Sequence, residues 1–219
     1  MWSRRPGEPW RTREASPMML PAEWGEQPRG TMGKVGDNEH ARRGPWLVRQ
    51  SAVVYENPWI RVREDAARQA GGEATVFGVV EMKPGVAVLP LADDNTVHLV
   101  RVYRYTLDRD SLEVITGGID EGERPEAAAR RELKEEAGIE AAELVDLGAI
   151  DQLTETVVSP NRMFLARGLS FGEPEQEAGE RIEPVAMPLA EAVQKVMDGE
   201  ISHAASAVLL LKASRLIGI

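Results

Sequence analysis

The alternation of hydrophobic and polar residues after Trp46 predicts strands. β-Branched and aromatic residues recur on both sides of an Asn57–Pro58 turn, and the pair Gly71–Gly72 leads into the run ATVFGVVEM. Such runs between turn residues predict two or three strands of a small antiparallel sheet in residues 46–84. Because three strands are seldom stable by themselves, this sheet should pack on a main domain or on a second subunit.

Residues 85–219 contain further runs of strand type, and these predict a main sheet. An Asp93–Asn95 turn separates the first two runs, and the acidic segment EPEQEAGE before the last run should be a loop. The predicted strands are, in chain order, GVAVLPL, TVHLVRVYRY, SLEVIT, ELVDLGAIDQ, MFLARGL and RIEPVAM.

Three segments carry helix signals. The first begins at Pro125, which suits a first helical position, and stops at Gly138. The second, PLAEAVQKVMDG, stops at Gly199, and the third, SHAASAVLLLKASRL, has Ser202 as its predicted N-cap. Strands with interspersed helices and no regular alternation predict an α/β fold in which a mixed sheet carries helices on both faces.

Residues 1–45 show neither the helical nor the strand periodicity of hydrophobic residues. Arg, Pro, Gly and Glu are mixed there with isolated tryptophans, which predicts a disordered tail, the alternative being a tail that docks on a partner through those tryptophans. The predicted organisation is a tail in residues 1–45, a small β-sheet region in residues 46–84 and a main domain in residues 85–219.

Charge and composition exclude several classes of function. The formal net charge is −10 at pH 7 and the acidic excess lies beyond residue 45, so the surface should repel nucleic acid and acidic lipid. A phosphate-bearing ligand would have to be held locally, by a metal, by a few arginines, or by both. The absence of cysteine excludes disulfides and thiolate sites. No apolar run suits a signal peptide or a membrane span, which favours a cytoplasmic protein.

Three carboxylates are expected on one face of the first helix. Glu132, Glu135 and Glu136 are three or four residues apart, so they should crowd together and repel one another. A cation between them would turn this repulsion into binding. An all-oxygen set of ligands suits a hard ion such as Mg²⁺ or Mn²⁺.

The stretch from Gly117 to Ile139 has the spacing of a known motif. Gly117 is followed after five residues by Glu123, and after seven more by Arg-Glu-Leu, any residue, Glu-Glu, any residue, Gly-Ile. This resembles the Nudix box at every specified position. The resemblance implies an α/β/α sandwich and a hydrolase that cleaves a nucleoside diphosphate linked to another group.

The similarity extends over about residues 46–219, which resemble the ADP-ribose pyrophosphatase branch of the Nudix family. RVYRY, LEVITGG and GEISHAASAVLLLKA carry it outside the box. In that branch an N-terminal sheet serves a homodimer, so the resemblance implies that residues 46–84 are a dimerisation element and that residues 85–219 are the hydrolase domain.

The resemblance also implies a metal site. Glu132 and Glu136 fall where the family places metal-binding carboxylates, with Glu135 adjacent and the backbone carbonyl of Thr116 as a further ligand. Glu180 matches a carboxylate that completes the metal set or acts on the attacking water.

Two further residues of the box are expected to act beside the metal. Glu123 and Arg131 should support the geometry of the loop and the helix by hydrogen bonds. A general base must also take a proton from the attacking water, and Glu180, Glu177 and Glu155 remain the alternatives.

Substrate contacts are implied at three positions. Arg104 and Glu113 fall where the family contacts the substrate, and Trp59 falls near the aromatic residue that stacks on adenine, reaching across the dimer. From its own sequence context Trp59 is a core residue, so two interpretations of it stay open. The histidines favour structural or surface roles, and they are His40, His98 and His203.

The best candidate reaction is metal-dependent hydrolysis of ADP-ribose to AMP and ribose 5-phosphate. The branch often has a proline after the box, but here the nearest, in a loop around Pro160, lies farther on and lacks the acidic residue that commonly follows. This departure leaves GDP-mannose or another nucleotide sugar as the alternative. A binding module without catalysis is an alternative from another class, and the acidic surface disfavours an RNA-processing hydrolase.

Overall fold

The structure is a computed structural model and describes residues 41–176 and 182–218. The predicted tail therefore lies outside the described residues except for its last five positions, where the prediction is wrong. Ala41–Arg43 pairs antiparallel with Trp46–Val48 across a turn in which Gly44 has φ +57°, a conformation that glycine adopts without strain.

In chain order, the described strands are β1 (Ala41–Arg43), β2 (Trp46–Glu56), β3 (Ile60–Gln69), β4 (Ala74–Met82), β5 (Gly85–Pro90), β6 (Thr96–Arg104), β7 (Arg109–Glu113), β8 (Ile115–Gly118), β9 (Ile139–Asp151), β10 (Val157–Val158), β11 (Pro160–Phe171) and β12 (Ile182–Pro188). The helices are α1 (Pro125–Ala137), α2 (Leu189–Met197) and α3 (Ala204–Ile217), with a 3-10 turn at Tyr105–Leu107. No helix in residues 41–176 and 182–218 is long and apolar enough to cross a membrane.

The predicted N-terminal sheet is confirmed and is larger than expected. Its strand order is β1-β2-β3-β4-β10, and only β10 runs parallel to its neighbour. Val157 and Val158 lie opposite Val80 and Glu81, and the N–H of Val80 donates to the carbonyl of Thr156 at 2.8 Å. A strand of two residues is too short to show a period in the sequence.

The predicted α/β/α sandwich is also confirmed. The sheet β8-β5-β11-β9 is mixed, because β5 and β11 are parallel and the other pairs are antiparallel. Val86 and Val88 of β5 pack in one core with α1, whereas Ala87 and Leu89 pack in the other core with α2 and α3. Alternate residues of one strand thus serve two helical layers.

Two strand predictions need correction. SLEVIT is not one strand: β7 pairs with β6 and β8 pairs with β5, because the chain crosses from a three-stranded sheet, β12-β6-β7, to the central sheet at Val114. Pro160 does not lie in a loop but begins β11, a strand position at which the missing N–H of proline is tolerated.

The predicted ends of α1 are confirmed. Pro125 occupies its first turn, and Gly138 closes it with φ +62°, donating its N–H to the carbonyls of Leu133 and Lys134. The predicted N-cap of α3 is wrong. His203 takes that position, and the hydroxyl of Ser202 instead accepts a hydrogen bond from Arg109 at 2.8 Å.

Candidate active site

The end of β8 and the middle of α1 meet at Gly117. A Cβ built on this glycine would lie 1.9 Å from the carboxyl carbon of Glu132, so only glycine leaves room for that carboxylate. At the next position, Gly118, a Cβ would meet nothing closer than 4.0 Å. The first glycine of the motif is therefore the one that seats Glu132 against the backbone.

Arg131 links three carboxylates of the motif. Its Nε and Nη2 donate to Glu123 at 3.1 and 3.0 Å, and its Nη1 donates to Glu132 at 2.6 Å and to Glu135 at 3.0 Å. Nη2 also donates to the carbonyl of Gly118 at 2.9 Å. Arg131 thus offsets part of the repulsion among Glu123, Glu132 and Glu135.

These contacts shift the protonation of the cluster. Hydrogen bonding to Glu123 raises the pKa of Arg131 above its ordinary value, and Glu132 adds to the rise. The pKa of Glu123 is lowered by its hydrogen bonds to Arg131 and to the N–H of Asp120. Burial raises the pKa of Glu132, with the charges of Glu135 and Glu123 adding to the rise and Arg131 opposing it. A further cation near Glu132 would therefore stabilise its charged form.

The residues offer a hard cation the right kind of ligand. Glu132, which is 9% exposed, and the half-buried Glu136 lie one turn apart on α1, and Thr116 precedes Gly117 on β8. In the part of the chain that the structure describes, no three acidic or histidine side chains converge as a metal site. As oxygen donors, these groups fit Mg²⁺ or Mn²⁺ in chemistry. Arg131 holds Glu132 and Glu135 by hydrogen bonds.

A second cluster lies where β6, β7 and α3 meet. Arg104 binds Glu113 through two parallel hydrogen bonds, Nε to Oε1 at 3.0 Å and Nη2 to Oε2 at 2.7 Å. Glu113 is 2% exposed, whereas the side chain of Arg104 is 41% exposed. His203 and Ser206 stand on the other side: His203 Nδ1 is 3.4 Å from Glu113 Oε2 and 2.8 Å from Ser206 Oγ.

This second cluster is not a nucleophilic triad. Such a triad needs the serine and the carboxylate on opposite nitrogens of the imidazole ring, but here both lie next to Nδ1 of His203. Ser206 is also fully buried, so no substrate can reach its hydroxyl. The sequence analysis did not identify Ser206. Its position three residues after His203, at the start of a helix, was a signal that the two side chains could contact each other.

Trp59 is not a core residue. Its side chain is 74% exposed, because the side chain of Asn57 accepts hydrogen bonds from the backbone N–H groups of Trp59 and Ile60 and closes a tight turn that points the indole outward. An exposed indole at the tip of the β2–β3 turn is available for stacking.

Of the three candidates for the general base, only Glu155 lies among the described residues. Glu177 and Glu180 fall outside the described residues. Glu155 is exposed and lines a cavity of about 170 Å³ with Trp46, Asp65 and Phe77 of the N-terminal sheet. The structure thus places Glu155 beside that sheet.

Comparison with known proteins agrees with this geometry. The model of the NUDIX domain matches residues 81–207, and the model of the nucleoside diphosphate sugar hydrolase N-terminal domain matches residues 45–80. An ADP-ribose pyrophosphatase of Mycobacterium tuberculosis (strain ATCC 25618 / H37Rv) is 36% identical over 171 residues, which cover 74% of this chain and 81% of that protein. An ADP-ribose pyrophosphatase of Bacillus subtilis (strain 168) is 31% identical, with coverages of 62% and 75%.

A solved structure supports the fold independently. The crystal structure of an ADP compounds hydrolase matches 81% of this chain and 97% of its own, with a TM-score of 0.70 at 23% identity. The NUDIX model covers more than half of the chain and includes the whole of the Gly117–Ile139 motif. The chain therefore belongs to the Nudix family and is a Nudix hydrolase.

Proposed function

We propose that this protein hydrolyses the pyrophosphate bond of a nucleoside diphosphate sugar, with ADP-ribose converted to AMP and ribose 5-phosphate as the best candidate. The observation that carries the proposal is the set of motif carboxylates on α1, among which Glu132 is buried and seated against Gly117. Both relatives described above are named ADP-ribose pyrophosphatase, which supports this substrate.

Mg²⁺, or Mn²⁺ in its place, is the proposed cofactor. Glu132, Glu135 and Glu136 with the carbonyl of Thr116 would hold it, and Glu180 would complete the set. When bound, a divalent ion would neutralise the charge on the phosphate oxygens and lower the pKa of a bound water. Arg131 keeps the carboxylates together through its hydrogen bonds to Glu132 and Glu135.

Three residues outside the motif are proposed to act on the substrate: Arg104, Trp59 and Glu113. Arg104 is exposed on one side and anchored on the other by Glu113, so it can offer a fixed guanidinium to an anionic or hydroxyl oxygen. Trp59 offers an indole for the base. Because Glu113 is buried, we propose that it acts on the substrate through Arg104.

A panel of substrates tests the reaction. With Mg²⁺, the purified protein should release AMP and ribose 5-phosphate from ADP-ribose, with a higher kcat/KM than for GDP-mannose or other nucleotide sugars. Products separated by chromatography identify the bond that is cleaved. Release of a free base or of a free sugar, or tight binding of every compound with no turnover over hours, would contradict a pyrophosphatase.

We also propose a homodimer formed through the N-terminal sheet. Large apolar side chains are exposed on its strands and turn, and they are Val53, Val54, Tyr55, Trp59, Val76 and Met82. Large apolar side chains left exposed on a sheet are typical of a surface that another chain covers. In such a dimer, Trp59 would reach the substrate of the partner subunit.

Val76→Glu should separate the subunits. Val76 is 61% exposed on β4, so the change is tolerated in a monomer, but an unpaired carboxylate inside an interface should raise the dissociation constant at least about 100-fold. Sedimentation velocity over a range of concentrations measures this. Met197→Glu is the matched control, since Met197 is 69% exposed at the end of α2, away from the sheet. Equal behaviour of the two variants would exclude this interface.

A further inference from the structure

The N-terminal end of α3 is fastened to β7 at two points. Arg109 at the start of β7 donates to the hydroxyl of Ser202 at 2.8 Å, and the N–H of Val114, just after β7, donates to the hydroxyl of Ser206 at 2.9 Å. Ser206 is fully buried. Through Ser206, the first turn of α3 is thus held beside Val114, the residue that follows Glu113.

One oxygen of Glu113 faces two basic groups. Oε2 accepts a hydrogen bond from Arg104 Nη2 at 2.7 Å, and His203 Nδ1 lies 3.4 Å from the same oxygen. Ser206 fixes the imidazole ring there through its contact of 2.8 Å with Nδ1. A charged His203 would therefore compete with Arg104 for the carboxylate.

We propose that His203 and Ser206 are positioning residues that set the orientation of Arg104 through Glu113, and so determine the affinity for the nucleoside diphosphate sugar. This inference rests on the proposed function, in which Arg104 contacts the substrate. A neutral His203 leaves the Arg104–Glu113 pair intact, whereas a protonated His203 competes with Arg104 for Glu113 and weakens the pair.

The electrostatics of the cluster agree with this role. Burial lowers the pKa of His203 below its ordinary value of 6.5, while the charge of Glu113 opposes the shift and that of Arg104 adds to it. Among the described residues, these two, one on β7 and one on β6, are the charged groups that act on the ring. Burial alone would raise the pKa of Glu113, but the hydrogen bonds from Arg104 and its other partners lower it. The ring is thus neutral at pH 7 to 8 and becomes charged on the acid side.

Steady-state kinetics across pH test the inference. In the wild type, KM for ADP-ribose should rise about tenfold between pH 8 and pH 5.5, the loss expected from weakening one charge-assisted hydrogen bond. In His203→Gln the side chain stays neutral but can still bond to Ser206, so the rise should shrink to about twofold or less, with kcat unchanged. Ser206→Ala, which frees the ring and the N–H of Val114, should raise KM at every pH.

His98→Gln is the matched control. His98 lies on β6, packs against Phe171 with ring centroids 4.8 Å apart, and has no contact with Glu113 among those described, so its KM profile should follow the wild type. An unchanged acid rise of KM in His203→Gln would overturn the inference, and so would a fall in kcat at constant KM. If circular dichroism shows that Ser206→Ala does not fold, the KM profile of His203→Gln alone decides whether the inference holds. Turnover by the wild type tests the proposed function separately, so the two failures are distinguishable.

Discussion

Glu136→Gln should lower kcat about 1,000-fold while the fold is retained. Glutamine has nearly the same shape as glutamate but lacks its charge, and a divalent ion contributes several kcal/mol through the charge that its ligands fix in place. Glu136 is half-buried on the same face of α1 as Glu132, one turn further along the helix. The measurement is kcat at saturating ADP-ribose over a titration of Mg²⁺, with the melting temperature as the test of folding.

Glu126→Gln is the matched control for this change. Glu126 is exposed in the first turn of the same helix, so the same chemical substitution there should leave kcat within about twofold of the wild type. A rise in the Mg²⁺ concentration needed for half-maximal activity of Glu136→Gln would show that the loss acts through the metal. If both variants keep the activity of the wild type, Glu136 is not a metal ligand.

Gly117→Ala should lower kcat/KM about 100-fold. The new methyl group would lie 1.9 Å from the carboxyl group of Glu132, far inside contact distance, so this carboxylate must move by more than 1 Å. A displacement of that size at a catalytic group costs on the order of 100-fold in rate. The effect should appear in kcat/KM and in the half-maximal Mg²⁺ concentration together.

Gly118→Ala provides the comparison for Gly117→Ala. It adds the same methyl group one residue further on, where the nearest heavy atom is 4.0 Å away, and it keeps the carbonyl that accepts from Arg131. Its kcat/KM should stay within a few-fold of the wild type. Comparable losses in the two alanine variants would mean that the loop needs flexible glycines, and that the space beside Glu132 is not the reason for Gly117.

The motif helix was predictable because its signals are local. Pro125 and Gly138 mark its ends within one short stretch, and the three- and four-residue spacing places Glu132 and Glu136 on one face without knowledge of the rest of the fold. The helices on both faces of the sheet were predictable from the interspersed order of strands and helices, and β5, which is buried on both faces, packs against a helical layer on each.

The features that the sequence did not predict depend on contacts between distant residues. Ser206 bonds to Val114, which lies 92 residues earlier, and Arg109 draws Ser202 away from the N-cap across 93 residues. No local pattern encodes such pairs. Trp59 was open to two interpretations for a related reason: only the turn closed by Asn57 decides whether its indole points into a core or outward.

The short strand β10 determines which segments a chimera between two members of this family must contain. Although the sequence suggests a cut near residue 84, Val157 and Val158 extend the N-terminal sheet from within the hydrolase domain, and the carbonyl of Thr156 bonds to Val80. A chimera that takes only residues 41–82 from a relative would join a foreign β4 to a native β10. Transplanting this sheet therefore requires two separate pieces of chain, the second spanning about residues 153–158.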